Sequence, residues 1–233
     1  MIKLAADDGQ GHTGTQAGQG GAEATRLALI MAGLRLFGRQ GYDATSTREL
    51  AAVANANIGS IAYHFGGKEG LRAACAQHIV DTIRAVAGPA VGLGDTEELP
   101  SEQAEQRLIQ GLQRIVAFMV ARPEAGEFVQ FVLRELSTAG AGVDILYNGV
   151  FEPVHKRLCQ LWGHATGQPA ESERTRIAVF AMIGQVVYFR IGREAVMRRM
   201  GWDNIGPAEA AKITAVFTEN LEASLKAHRE AEQ

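Results

Sequence analysis

The 233-residue sequence predicts an all-α protein with a small three-helix head at its N-terminus and a larger helical body. Apolar residues recur at helical spacing along almost every periodic stretch, and no run of alternating β-branched residues indicates a strand. Residues 45–68 contain two short helical patterns joined by a tight polar turn. Two short helices in this arrangement are typical of a helix-turn-helix unit.

Composition excludes several classes of protein. No stretch reaches about 18 uninterrupted apolar residues, so no transmembrane span is expected, and no basic start followed by an apolar core indicates a secretory signal. Cys75 and Cys159 lie far apart and form no C-x-x-C pair. We expect reduced cysteines in a cytoplasmic protein, and a redox-sensing pair is the less favoured alternative.

Charge is distributed unevenly along the chain. The net charge is −3, but residues 22–72 carry six basic and four acidic side chains. A basic N-terminal module on an acidic body gives one end that attracts phosphates and another that does not.

The chain begins with a segment of low apolar content. Residues 1–22 are rich in Gly and Gln and predict a disordered arm, and their glycines do not form a phosphate-binding loop. Residues 24–40 predict the first helix, which ends before Gly41. Its expected apolar face consists of Leu27, Ile30, Met31, Leu34 and Phe37.

The second helix is predicted from a capping pattern. Ser46 is followed three residues later by Glu49, which is the spacing of a capping box. A turn signal follows at residues 55–57, where Asn57 is also a favourable N-cap for the next helix. The expected apolar face of the second helix is Leu50, Val53 and Ala54.

The third helix is predicted to present a polar and aromatic face to solvent. Its expected inner positions, at i, i+3, i+4 and i+7, are Ile58, Ile61, Ala62 and Phe65. Its expected outer positions are Gly59, Ser60, Tyr63 and His64. Small and hydrogen-bonding residues near the helix start are what a recognition helix requires to enter the major groove. Lys68 opens a fourth helix, which is expected to end at Gly88-Pro89.

These residues carry a resemblance to a known family. The two matching segments are Phe37-Gly38-x-x-Gly41-Tyr42-x-x-Thr45-Ser46-Thr47-x-x-x-Leu50-Ala51 and Ile58-Gly59-Ser60-Ile61-x-Tyr63-His64-Phe65-x-x-Lys68-Glu69-x-Leu71. They resemble the N-terminal signature of the TetR family of bacterial transcription regulators. The resemblance implies a homodimer, a helix-turn-helix DNA-binding head, and a helical body that binds a ligand and dimerises. The expected regions are an arm at 1–22, the DNA-binding domain at 23–70, a connecting helix at 71–88, and the ligand-binding and dimerisation domain at 89–229.

The resemblance assigns DNA contacts to the head. Thr47 and Arg48, at the start of the second helix, should face the phosphate backbone. Gly59 and Ser60 are the expected readers of base edges, because glycine allows close approach and a hydroxyl can donate or accept. The other expected phosphate contacts are Tyr63, which can also touch a thymine methyl, His64 and Lys68. For each residue alone, an ordinary exposed position on the head is the simpler interpretation, and no second ligand at i+4 supports zinc binding by His64.

The body is predicted as a series of amphipathic helices after a loop at 89–100. Pro153 lies inside the third body helix and should kink or split it. Apolar residues wrap around the helix from Ile177 to Ile191, which predicts burial on more than one side. The segment Ile183-Gly184-Gln185-Val186-Val187-Tyr188-Phe189-Arg190-Ile191-Gly192-Arg193-Glu194, followed by Gly201-Trp202, resembles the C-terminal domain of the CecR-like branch of the family. The wider family implies a dimer interface formed by the last two helices.

A small-molecule pocket is expected inside the body. Its candidate lining is Phe118, Met119, Phe128, Phe131, Trp162, Phe180, Tyr188, Phe189 and Arg190, with a purely structural core as the alternative. Arg190 and Arg193 each require a partner, since they follow an apolar helix. An internal carboxylate, Glu135 or Glu152, is favoured over an acidic ligand.

The sequence therefore predicts a ligand-responsive DNA-binding transcription regulator. The expected form is a homodimeric repressor that a small molecule releases from its double-stranded DNA operator, with the fourth helix as the lever. No membrane partner, metal or cofactor is expected, and no G-x-S-x-G, H-E-x-x-H or nucleotide-binding loop indicates an enzyme. The alternative is a helical scaffold that binds other proteins without specific DNA recognition.

Overall fold

The computed structural model describes residues 14–138 and 141–230, and all regular elements in these residues are helical. The all-α prediction is therefore confirmed. A π-helical turn, Tyr147–Phe151, joins α7 to α8. The eleven α-helices in the described residues are α1 Gly14–Gln40, α2 Thr47–Val53, α3 Gly59–Phe65, α4 Lys68–Val91, α5 Ser101–Ala121, α6 Glu124–Thr138, α7 Ala141–Leu146, α8 Glu152–Thr166, α9 Glu173–Ile191, α10 Arg193–Met200 and α11 Pro207–Glu230.

The first helix differs from its predicted form. Because α1 begins at Gly14, residues 14–22 are helical and are not part of a disordered arm, while residues 1–13 lie outside the described residues. The predicted apolar face is also too narrow. Leu29 and Leu36 are buried and Leu27 is exposed, because α1 is covered by α2 and α3 on one side and by α4 and α6 on another.

Glycines define the connection between α3 and α4. Gly66 and Gly67 adopt φ angles of 72° and 140°, which side-chain-bearing residues rarely adopt. A Cβ atom at Gly70 would overlap the carbonyl oxygen of Phe65. The sharp change of direction between the two helices therefore depends on three glycines within five residues.

The connecting helix α4 runs past its predicted end. It continues through Pro89 to Val91, and Gly92, with a φ of 63°, terminates it in the left-handed conformation. Pro89 is exposed in the final turn of the helix. At 1.5 Å per residue its 24 residues span about 36 Å from the head into the body.

Pro153 disturbs its helix as predicted, and the disturbance takes the form of the π-helical turn just before it. Proline has no N–H group to donate to the carbonyl of Gly149, four residues earlier. That carbonyl instead accepts a hydrogen bond of 2.8 Å from Arg84 Nε on α4. Gly149 also packs closely on α4, since a Cβ atom there would lie 2.6 Å from a methyl group of Val80.

The prediction that α9 is buried on several sides is wrong for the single chain. Val179, Met182 and Val186 are buried on one side. The opposite side is open to solvent, with exposed fractions of 54–61% for the apolar side chains of Ile177, Phe180, Tyr188 and Ile191. The apolar residues that surround α9 therefore form two faces, one packed in the core of the chain and one open to solvent.

Length and apolar composition decide whether a helix can span a membrane. Within residues 14–138 and 141–230 no single helix is long and apolar enough to cross a bilayer. The pair α9 and α10, bent by 77° at the junction, satisfies the requirement only jointly and only by length and composition.

Candidate nucleic-acid interface

The start of α2 is fixed by one half of the predicted capping box. Ser46 Oγ accepts a hydrogen bond of 3.1 Å from the Glu49 backbone N–H. The Glu49 carboxylate does not complete the box, because it accepts a hydrogen bond of 2.8 Å from Gln40 Nε2 at the end of α1. This arrangement leaves Arg48 exposed and Thr47 half-buried in the first turn of α2.

The inner face of α2 is also shifted from its prediction. Leu50 and Ala51 are buried, whereas Val53, which was expected inside, is half exposed. Because α2 has only seven residues, it packs on the other helices of the head through a narrow strip of its surface, and Val53 lies outside this strip.

The start of α3 differs from its prediction, because the N-cap position is held by Ile58 without a side-chain cap and Asn57 lies one residue earlier. Asn57 Oδ1 accepts a hydrogen bond of 2.9 Å from the Gly59 N–H, while the regular helix begins at Gly59. Ile61 is fully buried and Phe65 is half-buried, as predicted.

The outer face of α3 is rotated relative to the prediction. Tyr63 is 81% exposed and Gly59 is exposed, but Ser60 and His64 are half-buried. Ile58 and Ala62, which were expected inside, are exposed on this face. Since residues four apart share a helix face, Ile58 beside Gly59 and Ala62 beside Tyr63 form one continuous surface. The four-residue spacing of Gly59 and Tyr63 predicts this surface when only Ile61 and Phe65 are assigned to the buried face of α3.

Aromatic contacts order two further residues of the head. The rings of Tyr63 and His64 meet edge to face with centroids 4.9 Å apart. Lys68 Nζ lies 4.2 Å from the centre of the Tyr42 ring, and the Arg72 guanidinium lies 4.7 Å from that centre. Such cation–π contacts hold both cations near the start of α4.

Tyr42 was not among the predicted site residues. Burial raises the pKa of its hydroxyl, the nearby Glu69 charge acts in the same direction, and Arg72 opposes it. The neutral phenol can therefore donate a hydrogen bond at physiological pH. Its contact with Lys68 joins residues that are distant in the sequence, so no local pattern predicts it.

The head is attached to the body at a second place besides α4. Gly38 of α1 lies against the backbone of α6, where a Cβ atom would come within 3.0 Å of the Phe131 nitrogen. Arg134 of α6 donates a hydrogen bond of 3.1 Å to the carbonyl of Arg39, near the end of α1.

A buried ion pair lies close to this contact. Arg72 Nε of α4 donates a hydrogen bond of 2.8 Å to Glu135 Oε1 of α6, and the other carboxylate oxygen of Glu135 is buried without a partner among the described residues. The orientation of the head is therefore coupled to both α4 and α6.

The proposed pocket lining does not surround one cavity. Phe118, Phe128, Phe131 and Trp162 are core residues, whereas Phe180 and Tyr188 are exposed. Phe189 packs edge to face on Phe217 of α11 with centroids 5.2 Å apart. A groove of about 830 Å³ lies elsewhere, between the end of α4 and α8, and none of the predicted lining residues borders it.

The predicted internal carboxylate partners of Arg190 and Arg193 are wrong. Arg190 Nη2 donates a 2.9 Å hydrogen bond to the Pro123 carbonyl. Arg193 donates to the carbonyl of Val120, near the end of α5, at 3.2 Å. Arg193 also donates a hydrogen bond of 2.8 Å to Asn204 Oδ1. Glu135 is engaged by Arg72 and Glu152 by Lys156, so neither carboxylate pairs with these two guanidiniums.

The remaining reactive groups lie in structural positions. Cys75 and Cys159 are free and buried. Burial raises the pKa of both thiols, that of Cys159 to about 11. Among the residues that the structure describes, no group of three His, Cys, Asp or Glu side chains is arranged to hold a metal ion.

Comparison with known proteins agrees with this architecture. Residues 29–75 match the family model of bacterial regulatory proteins of the TetR family. Residues 104–228 match the C-terminal domain of the HTH-type transcriptional dual regulator CecR. The CecR protein of Shigella flexneri is 31% identical over 207 residues, which cover 88% of this chain and 92% of that protein.

Solved structures share the fold. A transcriptional regulator from Pseudomonas aeruginosa PAO1 superposes with a TM-score of 0.62 at 16% identity, covering 89% of this chain and 94% of the other. The regulator AibR, solved with isovaleryl coenzyme A and operator DNA, gives a TM-score of 0.61 at 18% identity and coverage of 83% and 96%. The chain therefore belongs to the TetR family of bacterial transcription regulators and carries a CecR-type C-terminal domain.

Proposed function

We propose that this regulator is a cytoplasmic homodimeric repressor that a small molecule releases from its operator. The observation that carries the proposal is the uncovered surface of the head. This surface, which we call the α3 face, comprises Ile58, Gly59, Ala62 and Tyr63. All four residues are exposed, while the opposite side of α3 packs on α1 and α4.

The proposed DNA contacts divide into two groups. Gly59 and Ser60 approach base edges, and the exposed Ile58 and Ala62 can add apolar contacts with thymine methyl groups. The proposed contacts with the phosphate backbone are Thr47, Arg48, Tyr63, His64 and Lys68. This division assigns sequence preference to the first turn of α3 and most of the affinity to the surrounding residues.

A dimer through α9 and α11 would cover the exposed side of α9. Ile177, Phe180, Tyr188 and Ile191 follow a spacing of three, eight and three residues, which keeps them on one side of the helix. Side chains of the two helices already meet, since Asn220 of α11 donates a hydrogen bond of 3.0 Å to Gln185 of α9 and Phe189 packs on Phe217. Exposed aromatic and aliphatic side chains in a continuous stripe are typical of a protein interface.

Gly184 lies in the middle of this stripe and supports the same conclusion. It is exposed, and a Cβ atom there would meet no atom of the chain within 4 Å. Glycine inside a helix costs about 1 kcal/mol relative to alanine. Close approach by a partner helix is a physical reason to retain it.

Release by a ligand would act through the two attachments of the head. A change in the body that moves α4 relative to α6 would rotate the head, because Arg72 and Glu135 tie those helices together next to it. The similarly folded AibR has been solved with isovaleryl coenzyme A together with operator DNA. Coupling requires that the ligand bind the two arrangements with different affinity.

DNA titrations test the proposed function. The probe is the DNA upstream of the chain's own gene, compared with random DNA of equal length at two salt concentrations. A specific regulator should bind the first probe at least about 1,000-fold more tightly. Equal affinity for both probes would contradict specific regulation, and the absence of binding at any salt would favour the protein-binding scaffold.

The dimer is tested with Gly184→Leu. Analytical ultracentrifugation should show a dimer for the natural chain and dissociation for the variant, because a bulky side chain would separate the helices. The control is Gly20→Leu on α1, where a Cβ atom likewise meets nothing within 4 Å. A Gly184→Leu protein that remains as dimeric as the control would exclude this interface.

A further inference from the structure

The strongest unassigned feature is the groove between the end of α4 and α8. It has a volume of about 830 Å³, within the usual range of small-molecule sites. Pro89, Leu93 and Pro153 supply apolar surface, while Arg84, Lys156 and Arg157 supply positive charge.

Arg157 lies in this groove with part of its hydrogen-bonding capacity unused. The residue is only 3% exposed, although it carries a guanidinium. Its Nε donates a 2.9 Å hydrogen bond to the carbonyl of Val91, the last residue of α4, and its Nη1 donates to Gln160 Oε1 at 3.3 Å. Its Nη2 is buried and has no partner among the described residues.

The nearby carboxylates do not neutralise Arg157. Asp95 is the acidic residue that lines the groove, and it is engaged by Arg107 at 2.7 Å. Glu152 is engaged by Lys156 at 2.9 Å. Burial lowers the pKa of the Arg157 guanidinium, the charge of Arg107 acts in the same direction, and the Asp95 charge opposes both. A buried cation without a carboxylate in direct contact is unfavourable, and a bound anion would relieve that cost.

We propose that this groove binds a small organic anion and is the effector site of the regulator. The ligand's carboxylate or phosphate would accept hydrogen bonds from Arg157 Nη2, with Arg84 and Lys156 at the rim adding attraction. Its apolar part would lie on Pro89, Leu93 and Pro153. Charge-assisted hydrogen bonds to a guanidinium are among the strongest that a small ligand can form.

The groove is positioned to influence the head. Arg157 binds the last carbonyl of α4, and the first residues of the same helix lie beside the recognition helix. An anion that draws Arg157 toward the groove would change the contact that holds the end of α4. The effector role rests on the proposed function, whereas anion binding itself does not.

Calorimetry and thermal melting on the full chain without DNA test the site. The probes are hexanoate and hexyl phosphate, which separate the two acidic groups, and 1-hexanol as the neutral control, all at matched ionic strength. At a concentration of one hundred times Kd, a binding anion should raise Tm by about 5 °C, while 1-hexanol should have no effect. No shift with either anion, or an equal shift with 1-hexanol, would overturn the proposal.

Two variants locate the binding. Arg157→Met should weaken anion binding at least about tenfold, since it removes the charge and retains the length of the side chain. Lys156→Gln, at an exposed rim position, should weaken anion binding about threefold. This variant tests the location of the site if Arg157→Met does not fold. Lys226→Gln, on α11 outside the groove, is the matched control and should leave binding unchanged. Unchanged binding in the folded groove variants would overturn the assignment.

The effector role is tested with operator DNA. Saturating anion should lower the affinity for the specific probe at least about fivefold. Anion binding that leaves this affinity unchanged would overturn the effector role. A chain that binds the anion but no specific DNA would instead contradict the proposed function, so the two failures are distinguishable.

Discussion

The head and the body expose different kinds of surface and are stabilised in different ways. In the head, α2 and α3 have seven residues each and together bury only Leu50, Ala51 and Ile61. In the body, α5 alone buries eight residues. Helices as short as α2 and α3 are not stable in isolation, so their positions depend on α1, α4 and the contacts with α6. A few contacts at the edge of a large core therefore determine where the proposed DNA-contacting residues lie.

The largest expected effect is at the ion pair that joins the two regions. Glu135→Met would leave the largely buried Arg72 without its carboxylate, so we expect a loss of about 3–4 kcal/mol in the free energy of unfolding. The double variant Arg72→Met/Glu135→Met should recover most of this loss, since two apolar side chains can pack in the same space. Urea denaturation of both variants measures the difference. A single variant as stable as the natural chain would show that the pair contributes nothing to the attachment of the head.

The next effect should disable the head while leaving the body intact. Gly70→Ala places a Cβ atom on the Phe65 carbonyl, so α3 and α4 must move apart, at a cost of about 2–3 kcal/mol. Specific DNA binding should be lost, whereas sedimentation should show an unchanged oligomeric state. Gly20→Ala is the control, since its site on α1 is open and the change should be neutral or stabilising. Retained DNA binding by Gly70→Ala would contradict the dependence of the head on this turn.

A smaller effect separates the two groups of proposed DNA contacts. Arg48→Ala should weaken binding to all sequences alike and reduce the salt slope by about one unit. Ser60→Ala should instead relax the preference at one base position by about 1 kcal/mol. Binding to a set of single-base operator variants measures both effects. Selectivity that Ser60→Ala leaves intact would remove Ser60 from the base-reading group.

The smallest effect concerns the helix caps of the two regions. Hydrogen bonds from the backbone N–H groups of Glu209 itself and of Gly206 lower the pKa of the Glu209 carboxyl from its ordinary value of 4.5. A carboxyl with a lowered folded-state pKa stabilises the fold above its unfolded-state value, and this stabilisation is lost as the pH falls through the folded-state value. The Tm difference between the natural chain and Glu209→Gln should therefore shrink between about pH 7 and about pH 3, which lie above and below the ordinary carboxyl pKa.

The cap of the head provides the contrasting case. Ser46 caps α2 with a neutral hydroxyl, so Ser46→Ala should cost about 1 kcal/mol at both pH values. Thermal melting at the two pH values compares the variants. A pH-independent effect of Glu209→Gln would show that its carboxylate does not act as a charged cap.

The sequence predicted most helices because their signals are local. The cap at Ser46, the turn before Gly59 and the apolar spacing around Ile61 each involve residues within a few positions of one another. The inner face of α3 was predicted less well, because a seven-residue helix can satisfy several apolar patterns and only packing selects among them.

Other features of the site depend on contacts between distant residues. Arg72 and Glu135 are 63 positions apart. Arg190 binds the Pro123 carbonyl, and Arg193 binds the Val120 carbonyl and the Asn204 side chain, and no carboxylate pattern identifies these partners. The nine predicted pocket residues do not all lie together for a related reason. An aromatic residue at helical spacing reports an apolar environment, but it does not distinguish a core from a cavity or a partner surface.

The π-helical turn before Pro153 has a further consequence for the orientation of α8. A π turn contains one residue more than an α turn, and that additional residue shifts the phase of all later positions by about 100°. In an uninterrupted α-helix, the position that now holds Arg157 would be occupied by Lys156. A single inserted residue, accommodated by Arg84 at the Gly149 carbonyl, thereby directs a guanidinium rather than an ammonium at the end of α4.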